Sequence, residues 1–226
     1  MPEALEASVG IGVIHLFCTV GEGTDRAAIE AAVKAAQADD LQVVPVAVLG
    51  HKADVAFMVL GKDWWKLKSF QTALSVAGLT IIDSYVSMTE LSEYAKGLPE
   101  QMANARLYPQ LPPEGMSAWC FYPMSKKREG DANWFTLPYD ERKDLMMEHG
   151  ASGRKYTGRI VQLITGSAGV DDYEWGVTLF AQKPDDLKEV VYTMRFDEAS
   201  ARYAEFGPFI AGAVGTLAEV LDAGRL

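Results

Sequence analysis

The stretches "FMVLGKDWWKLKSF" (residues 57–70) and "VTLFAQKPDDLKEV" (residues 177–190) decide the fold, because they are weak copies of one another. Each joins an apolar, strand-like run to a helix-like segment. An offset of about 120 residues places Leu67 over Leu187. A repeat of this length indicates a duplicated domain and not a solenoid.

Each half of the chain follows the order β-α-β-β-α-β. The first half is predicted to have strands over 12–20, 41–50, 53–61 and 79–91, and helices over 24–40 and 64–78. The second half is predicted to have strands over 118–125, 158–167, 173–182 and 207–214, and helices over 138–150, 184–204 and 216–224. We therefore predict an α+β fold, in which two tandem ferredoxin-like (βαββαβ) domains form a dimeric α+β barrel.

A proline-rich segment separates the two units. Residues 98–115, "LPEQMANARLYPQLPPEG", carry four of the ten prolines, which is typical of a domain junction. The predicted boundaries are an N-terminal scaffold domain over 1–97, a linker over 98–115 and a C-terminal domain over 116–226.

The composition limits the functional classes. Hydrophobic residues make up 49% and charged residues 23% of the 226 residues, as in ordinary globular proteins. No apolar run reaches the length of about 18 residues that a membrane span needs, and the N-terminus lacks a signal-peptide pattern, so we predict a cytoplasmic protein. A net charge of -10 argues against nucleic-acid binding. Cys18 and Cys120 lie in apolar runs and are predicted to be buried free thiols.

One cationic cluster runs against this acidic balance. In "CFYPMSKKR" (120–128), a strand-like run ending in Tyr122 is followed by Lys126, Lys127 and Arg128. Most charge runs are simply solvated, but this one is also suited to bind carboxylates. Further cations of the linker and the second half are Arg106, Arg195 and Arg202.

Two other polar residues have both a structural and a functional interpretation. His149 precedes Gly150 at the predicted helix end, where an imidazole interacts with the helix dipole or serves as an axial haem ligand. Gln162 lies in a predicted strand, either facing solvent or donating a hydrogen bond above a cofactor. The other histidines, His15 in a strand and His51 in a turn, are predicted to be structural or at the surface.

Longer motifs point to a family. The second half closely resembles the coproheme decarboxylases of the chlorite-dismutase-like superfamily across residues 117–212. The first half resembles them more loosely, most clearly in "SYVSMTELSEY" (84–94). The motifs that carry the resemblance are "YPMSKKR", "NWFTLPYDER", "LMMEHGASGRKYTGRIVQLITGS", "DDYEWGVTLFAQ" and "MRFDEASARYAEFGPF".

The resemblance implies an activity and an assembly. Hydrogen peroxide would drive the conversion of two propionates of iron coproporphyrin III (coproheme) to vinyls with loss of carbon dioxide, giving haem b as product in the last step of a haem biosynthetic route. The C-terminal domain would be the haem-binding catalytic domain. The resemblance also implies a homopentamer and a transient contact with the chelatase that inserts the iron.

The resemblance also implies roles for individual residues. His149 would be the proximal iron ligand, Tyr122 the catalytic phenol, Lys126 the essential lysine that anchors a carboxylate, and Gln162 the distal group. Residues that would bind the propionates or line the site are Met124, Arg106, Arg195 and Ser200. Independently of the resemblance, a metal-binding histidine commonly has a carboxylate at its second nitrogen, and an acid such as Asp197 or Glu198 is a candidate for that place at His149. The alternatives are a chlorite dismutase-like haem peroxidase, although chlorite dismutases have arginine in place of Gln162, and a non-catalytic haem-binding protein.

Overall fold

The computed structural model describes residues 2–95 and 97–226, so Met1 and Lys96, which fall in the predicted first domain, lie outside the described residues. The elements of the first half are β1 (Gly12–Thr19), α1 (Arg26–Ala38), β2 (Gln42–Val48), β3 (Val55–Gly61), α2 (Trp64–Val76) and β4 (Thr80–Thr89). Asp25 and Asp63 cap the two helices, because each carboxylate accepts a hydrogen bond from a backbone N–H of the first turn.

The second half repeats this order with additions. Helix α3 (Glu100–Leu107) precedes the following strands: β5 (Ala118–Lys126), β6 (Arg128–Glu129) and β7 (Ala132–Asn133). The remaining elements are α4 (Tyr139–Arg154), β8 (Ile160–Gly166), β9 (Trp175–Ala181), α5 (Pro184–Met194), α6 (Glu198–Ala201), β10 (Ala204–Phe206), β11 (Ile210–Val214) and α7 (Leu217–Ala223). Among the described residues, no helix is long and apolar enough to span a membrane.

The strand order confirms the predicted α+β class. The first half has the order β4-β1-β3-β2, and the second half has the equivalent order β11-β5-β9-β8. Pairing of β2 with β11 and of β4 with β8 joins the halves. The pairings therefore connect eight strands in a closed ring, which is the connectivity that the predicted barrel requires. The exact domain boundaries stay a prediction.

The core lies in separate layers on the two faces of the sheet. The inner face packs the two halves together through Phe17, Trp119, Phe121 and Phe180. His15 is buried among these rings, and its burial lowers the pKa of the imidazole to about 3. The predicted structural role of His15 is therefore consistent with its position, and both cysteines are buried and free as predicted.

Two predicted helices in the second half have wrong limits. Helix α4 continues past Gly150 to Arg154, since Gly150 does not adopt the positive φ of a helix-ending glycine. The helix predicted over 184–204 breaks after Met194, because the side chain of Asp197 caps a new helix, α6. Helix α3 was not predicted and forms within the segment expected to be the linker, whose limits stay a prediction.

Candidate active site

The outer face of the second half is covered less completely than that of the first. Helix α1 buries Ile29, Val33 and Ala36 against the first half of the sheet. Helix α4 occupies the equivalent place in the chain order, but none of its 16 residues is buried. It packs on α5 and α6. On β8, Ile164 is 44% exposed and Gln162 is also exposed, so this part of the sheet is open to a ligand.

Strand register places several predicted site residues on this outer face. Alternation along β5 puts Tyr122, Met124 and Lys126 on one face. Tyr122 pairs with Val177 of β9, which in turn pairs with Ile164 of β8. Residues that are directly opposite in a ladder point to the same face, so Ile164 and, two positions before it, Gln162 share the face of Tyr122.

Tyr122 is a buried phenol, with 6% of its surface exposed. Its ring stacks on Phe209, with centroids 4.4 Å apart, and lies 5.8 Å from the ring of Phe206. Burial raises the pKa of the phenol, and the nearby guanidinium of Arg195 opposes this only in part. Tyr122 is therefore fully protonated at neutral pH and has a hydrogen atom to give up.

His149 makes a direct contact with an acid. Its Nδ1 lies 3.0 Å from Oδ2 of Asp197, whose side chain is 1% exposed, and 3.3 Å from the hydroxyl of Ser200. No described residue forms a hydrogen bond with Nε2, so this nitrogen can bind a metal. Burial lowers the pKa of His149, which favours the neutral imidazole that metals bind, while Asp197 opposes the shift.

Two expectations for His149 have different outcomes. The acid partner expected at Asp197 or Glu198 is present as Asp197. The expected interaction of His149 with the helix C-terminus is absent, because α4 continues to Arg154 and His149 lies before its last turn. The orientation of the imidazole comes from a hydrogen bond and not from the helix dipole.

Lys126 interacts electrostatically with the same acid. It is 7% exposed, its Nζ donates a 2.6 Å hydrogen bond to the carbonyl of Ala199, and it lies 4.4 Å above the ring centre of Trp134. Burial lowers the pKa of Lys126 to about 8, although Asp197 and Glu174 oppose the shift. Lys126 is therefore a partly desolvated cation at neutral pH, close to the group that orients His149.

The three consecutive cations do not form one anion-binding clamp. Lys126 is buried, whereas Lys127 is exposed. Arg128 forms an ion pair with the buried carboxylate of Glu174, and its guanidinium lies 4.9 Å from the ring centre of Phe135. The cluster is therefore divided between a buried lysine and a paired arginine.

The other predicted ligand-binding residues are distributed around this layer. Met124 is half-buried on β5, and Ser200 is buried beside His149. Arg195 is exposed, at the end of α5, with its guanidinium 5.5 Å from the ring centre of Phe206. Arg106 is exposed on α3, and within the described parts of the chain it has no hydrogen bond or ion pair with this cluster.

Two neighbours of the site were missed by the sequence reasoning. Phe209 stacks on Tyr122, and Trp134 lies against Lys126. Both contacts join residues far apart along the chain, so spacing gives no signal for them. The sequence shows the aromatic residues of the "NWF" and "GPF" segments, but it does not indicate that they contact Lys126 and Tyr122.

Known proteins share both the sequence and the fold. A curated coproheme decarboxylase from Staphylococcus carnosus (strain TM300) is 48% identical over 179 residues, which are 74% of this chain and 70% of that protein. A structure described as a haem-binding protein from Thermus thermophilus superposes with a TM-score of 0.87 at 35% identity, covering 99% of this chain and 97% of that one. A mutant chlorite dismutase from Candidatus Nitrospira defluvii, at 18% identity and a TM-score of 0.76, covers 97% of this chain and 98% of its own, and shows a shared fold.

The resemblance expected from the motifs is confirmed by these relatives, and the curated one is an enzyme. The family model described as chlorite dismutase matches residues 24–215, which include every residue of the candidate site and all strands of the large sheet except β1. With most of its length matched by that model, the chain belongs to the chlorite dismutase family.

Proposed function

We propose that the protein is a coproheme decarboxylase, which uses hydrogen peroxide to convert two propionates of iron coproporphyrin III to vinyls and yields haem b. The observation that carries the proposal is the buried phenol of Tyr122 on the open sheet face, together with an imidazole, His149, whose Nε2 is free of hydrogen bonds to described residues. The named activity of the Staphylococcus carnosus relative supports it.

The residues present fit an iron porphyrin. His149 would hold the iron through Nε2, with the Nδ1 hydrogen donated to Asp197, and the bound iron would supply oxidising power from peroxide. Arg195 is a suitable partner for a propionate, because guanidinium groups bind carboxylates through paired hydrogen bonds. The half-buried Met124 and exposed Ile164 would provide apolar contacts for the macrocycle.

Tyr122 would carry the hydrogen transfer. The phenol loses one electron and one proton, and its phenoxyl radical takes a hydrogen atom from the β-carbon of a propionate. For each vinyl, the propionate carboxylate loses carbon dioxide, one proton and two electrons. One peroxide takes up these two electrons and two protons to form two waters, so each cycle has a net uptake of one proton. The strand position and the stacked ring of Phe209 hold the phenol at a fixed place, which a short-range transfer requires.

Lys126 would act through its charge. A cation with a pKa of about 8 can release and regain a proton near neutral pH, so it is suited to balance the proton that each cycle consumes. It also lies close enough to Asp197 to influence the acid that orients His149. Anchoring of a substrate carboxylate by Lys126 would require its Nζ to leave the carbonyl of Ala199.

Gln162 favours this activity over a chlorite dismutase. A neutral amide on the open face cannot stabilise an oxyanion as the arginine of chlorite dismutases would. A haem carrier, the other alternative, would have no need for a buried and stacked phenol. The proposal includes a homopentamer in the cytoplasm and a transient contact with the iron-inserting chelatase.

The test is stepwise addition of hydrogen peroxide to the protein loaded with iron coproporphyrin III, followed by mass spectrometry of the extracted porphyrin. We expect two successive losses, each equal in mass to one formic acid. The matched control is Tyr122→Phe, which keeps the stacked ring and should bind the porphyrin without mass loss. Binding without mass loss in the wild-type protein would refute the decarboxylase and leave a carrier or a peroxidase.

A further inference from the structure

The segment between β10 and β11 shapes the surroundings of the Tyr122 phenol. The Phe209 ring lies nearly parallel to the Tyr122 ring, with an angle of 25° and a centroid distance of 4.4 Å. The Phe206 ring approaches at 60° and 5.8 Å. Phe209 is thus the ring that covers one face of the phenol.

The position of Phe209 is fixed from the first half of the chain. Lys52, in the turn between β2 and β3, donates a hydrogen bond from its ammonium group to the Phe209 carbonyl. The backbone N–H of Leu49 donates to the carbonyl of Ala211 at 2.9 Å. On the other side, the N–H of Gly207 donates to the carbonyl of Pro123, next to Tyr122, at 2.8 Å. The segment is therefore held at both ends.

We propose that Phe209 is a positioning residue for Tyr122 and that Lys52 acts through Phe209, so that the first half of the chain takes part in the reaction. This inference rests on the proposed function, in which Tyr122 loses a hydrogen atom and then takes one from the substrate. The plane of the ring determines the direction from which the phenoxyl oxygen can accept a hydrogen atom. A parallel neighbour restricts that plane, because rotation about Cβ–Cγ would drive the edge of the phenol into the Phe209 ring.

Phe209 also has the right chemistry for this position. A phenyl ring has no hydroxyl hydrogen to give up, so it is oxidised far less readily than a phenol. The oxidation therefore stays on Tyr122. A phenol placed at position 209 could instead pass its hydrogen atom to the Tyr122 radical, which would restore Tyr122 and move the radical away from the substrate.

The first measurement is the rotation of the Tyr122 ring in the porphyrin-free protein. Ring-¹³C-labelled tyrosine gives this rate by NMR, and the Tyr122→Phe variant assigns the signal among the nine tyrosines. In Phe209→Leu we expect the ring to rotate about two to ten times faster, the range given by the usual strength of a stacked pair. Lys52→Met should increase the rotation rate by a smaller factor. This variant replaces Phe209→Leu as the test if Phe209→Leu does not fold.

The control is Phe70→Leu, which removes a buried ring from the core of the first half, 5.9 Å from Phe57 and outside the site. An equal acceleration in this control would show that general loosening, and not the stack, is responsible. An unchanged Tyr122 rotation rate in both Phe209→Leu and Lys52→Met would overturn the proposal.

The loaded enzyme gives the second measurement. Phe209→Leu should lower kcat for vinyl formation with little change in KM for the porphyrin, and Phe209→Tyr should lower kcat while keeping the slow ring rotation. An unaltered kcat in both variants would overturn the proposal. If the wild-type protein forms no vinyl at all, the proposed function fails, whereas the NMR result still reports on the stack.

Discussion

Replacing Asp197 by Asn tests the proposed iron ligand with a small change. The two carboxylate oxygens of Asp197 have separate contacts, with Oδ2 3.0 Å from Nδ1 of His149 and Oδ1 2.9 Å from the backbone N–H of Ser200. An asparagine can keep its oxygen toward Ser200, so the cap of α6 is preserved. Its NH₂ group then faces His149, and an NH₂ group cannot accept the Nδ1 hydrogen.

The expected effect follows from the tautomer. The NH₂ group of the asparagine donates toward Nδ1, and the Ser200 hydroxyl at 3.3 Å is a weaker acceptor than the lost carboxylate, so the tautomer with its hydrogen on Nε2 is favoured. In that tautomer Nε2 has no lone pair for iron. Loss of such a partner typically weakens metal binding by about 10- to 100-fold, or roughly 1.4–2.8 kcal/mol. Because the cap remains, we expect the free energy of unfolding to change by less than about 1 kcal/mol.

The assay is titration of the variant with iron coproporphyrin III, followed at the Soret band, together with urea unfolding of the porphyrin-free protein. Glu198→Gln is the matched control, because it makes the same change of charge at the next residue, which is exposed. A Soret spectrum and a Kd equal to those of the wild type in Asp197→Asn would refute the assignment of His149 Nε2 as the iron ligand.

Three further predictions follow from the site. Tyr122→Phe should bind iron coproporphyrin with a Kd within about threefold of the wild type, because only a hydroxyl is lost. It should form no vinyl product in the mass-spectrometric assay, and normal turnover would show that the Tyr122 phenol does not carry the hydrogen transfer. For Lys126, the folded-state pKa of about 8 lies below the ordinary value of 10.5. Between these two pH values the unfolded state binds more protons than the folded state. The free energy of unfolding of the wild type should therefore increase relative to that of Lys126→Met as the pH rises through this window. Urea unfolding at pH 7.5 and pH 10 checks this, and a pH-independent difference would contradict the burial of the ammonium group. Helix α4, which buries no side chain, should exchange its amide hydrogens faster than α1 in the porphyrin-free protein and become protected when porphyrin binds. Hydrogen–deuterium exchange measured by mass spectrometry compares the two helices, and equal protection of α4 and α1 without porphyrin would contradict the prediction.

Local sequence pattern predicted the regular elements well and their interruptions poorly. The repeated βαββαβ order is confirmed because alternating and helical periodicities reflect local burial. The break before α6 was missed, although the Asp197 and Glu198 pair is a helix-start signal within a longer helical pattern. Helix α3 was missed because the prolines around it outweighed the start signal of Pro99 followed by Glu100.

The candidate site was predictable where residues share one strand. Alternation alone places Tyr122, Met124 and Lys126 on the same face of β5. The position of Gln162 on that face depends on the register between β8 and β9, which a single sequence does not specify. The contact of Asp197 with His149 was expected only as one of two acids, because it joins two helices that are distant in the sequence.

The two halves differ in how completely helices cover the outer face of the sheet. In the first half, α1 and α2 bury Ile29, Val33, Leu67 and Phe70 against the sheet, so the outer layer is filled by side chains. In the second half, α5 still packs on the sheet, whereas α4 contributes a histidine and no buried residue. Burial of apolar area is the main stabilising term for such a layer, so an uncovered sheet face carries a free-energy cost that a bound porphyrin would offset. The same feature that makes α4 a weak structural element therefore makes it a suitable place for the proposed porphyrin, which would enter as substrate and leave as product.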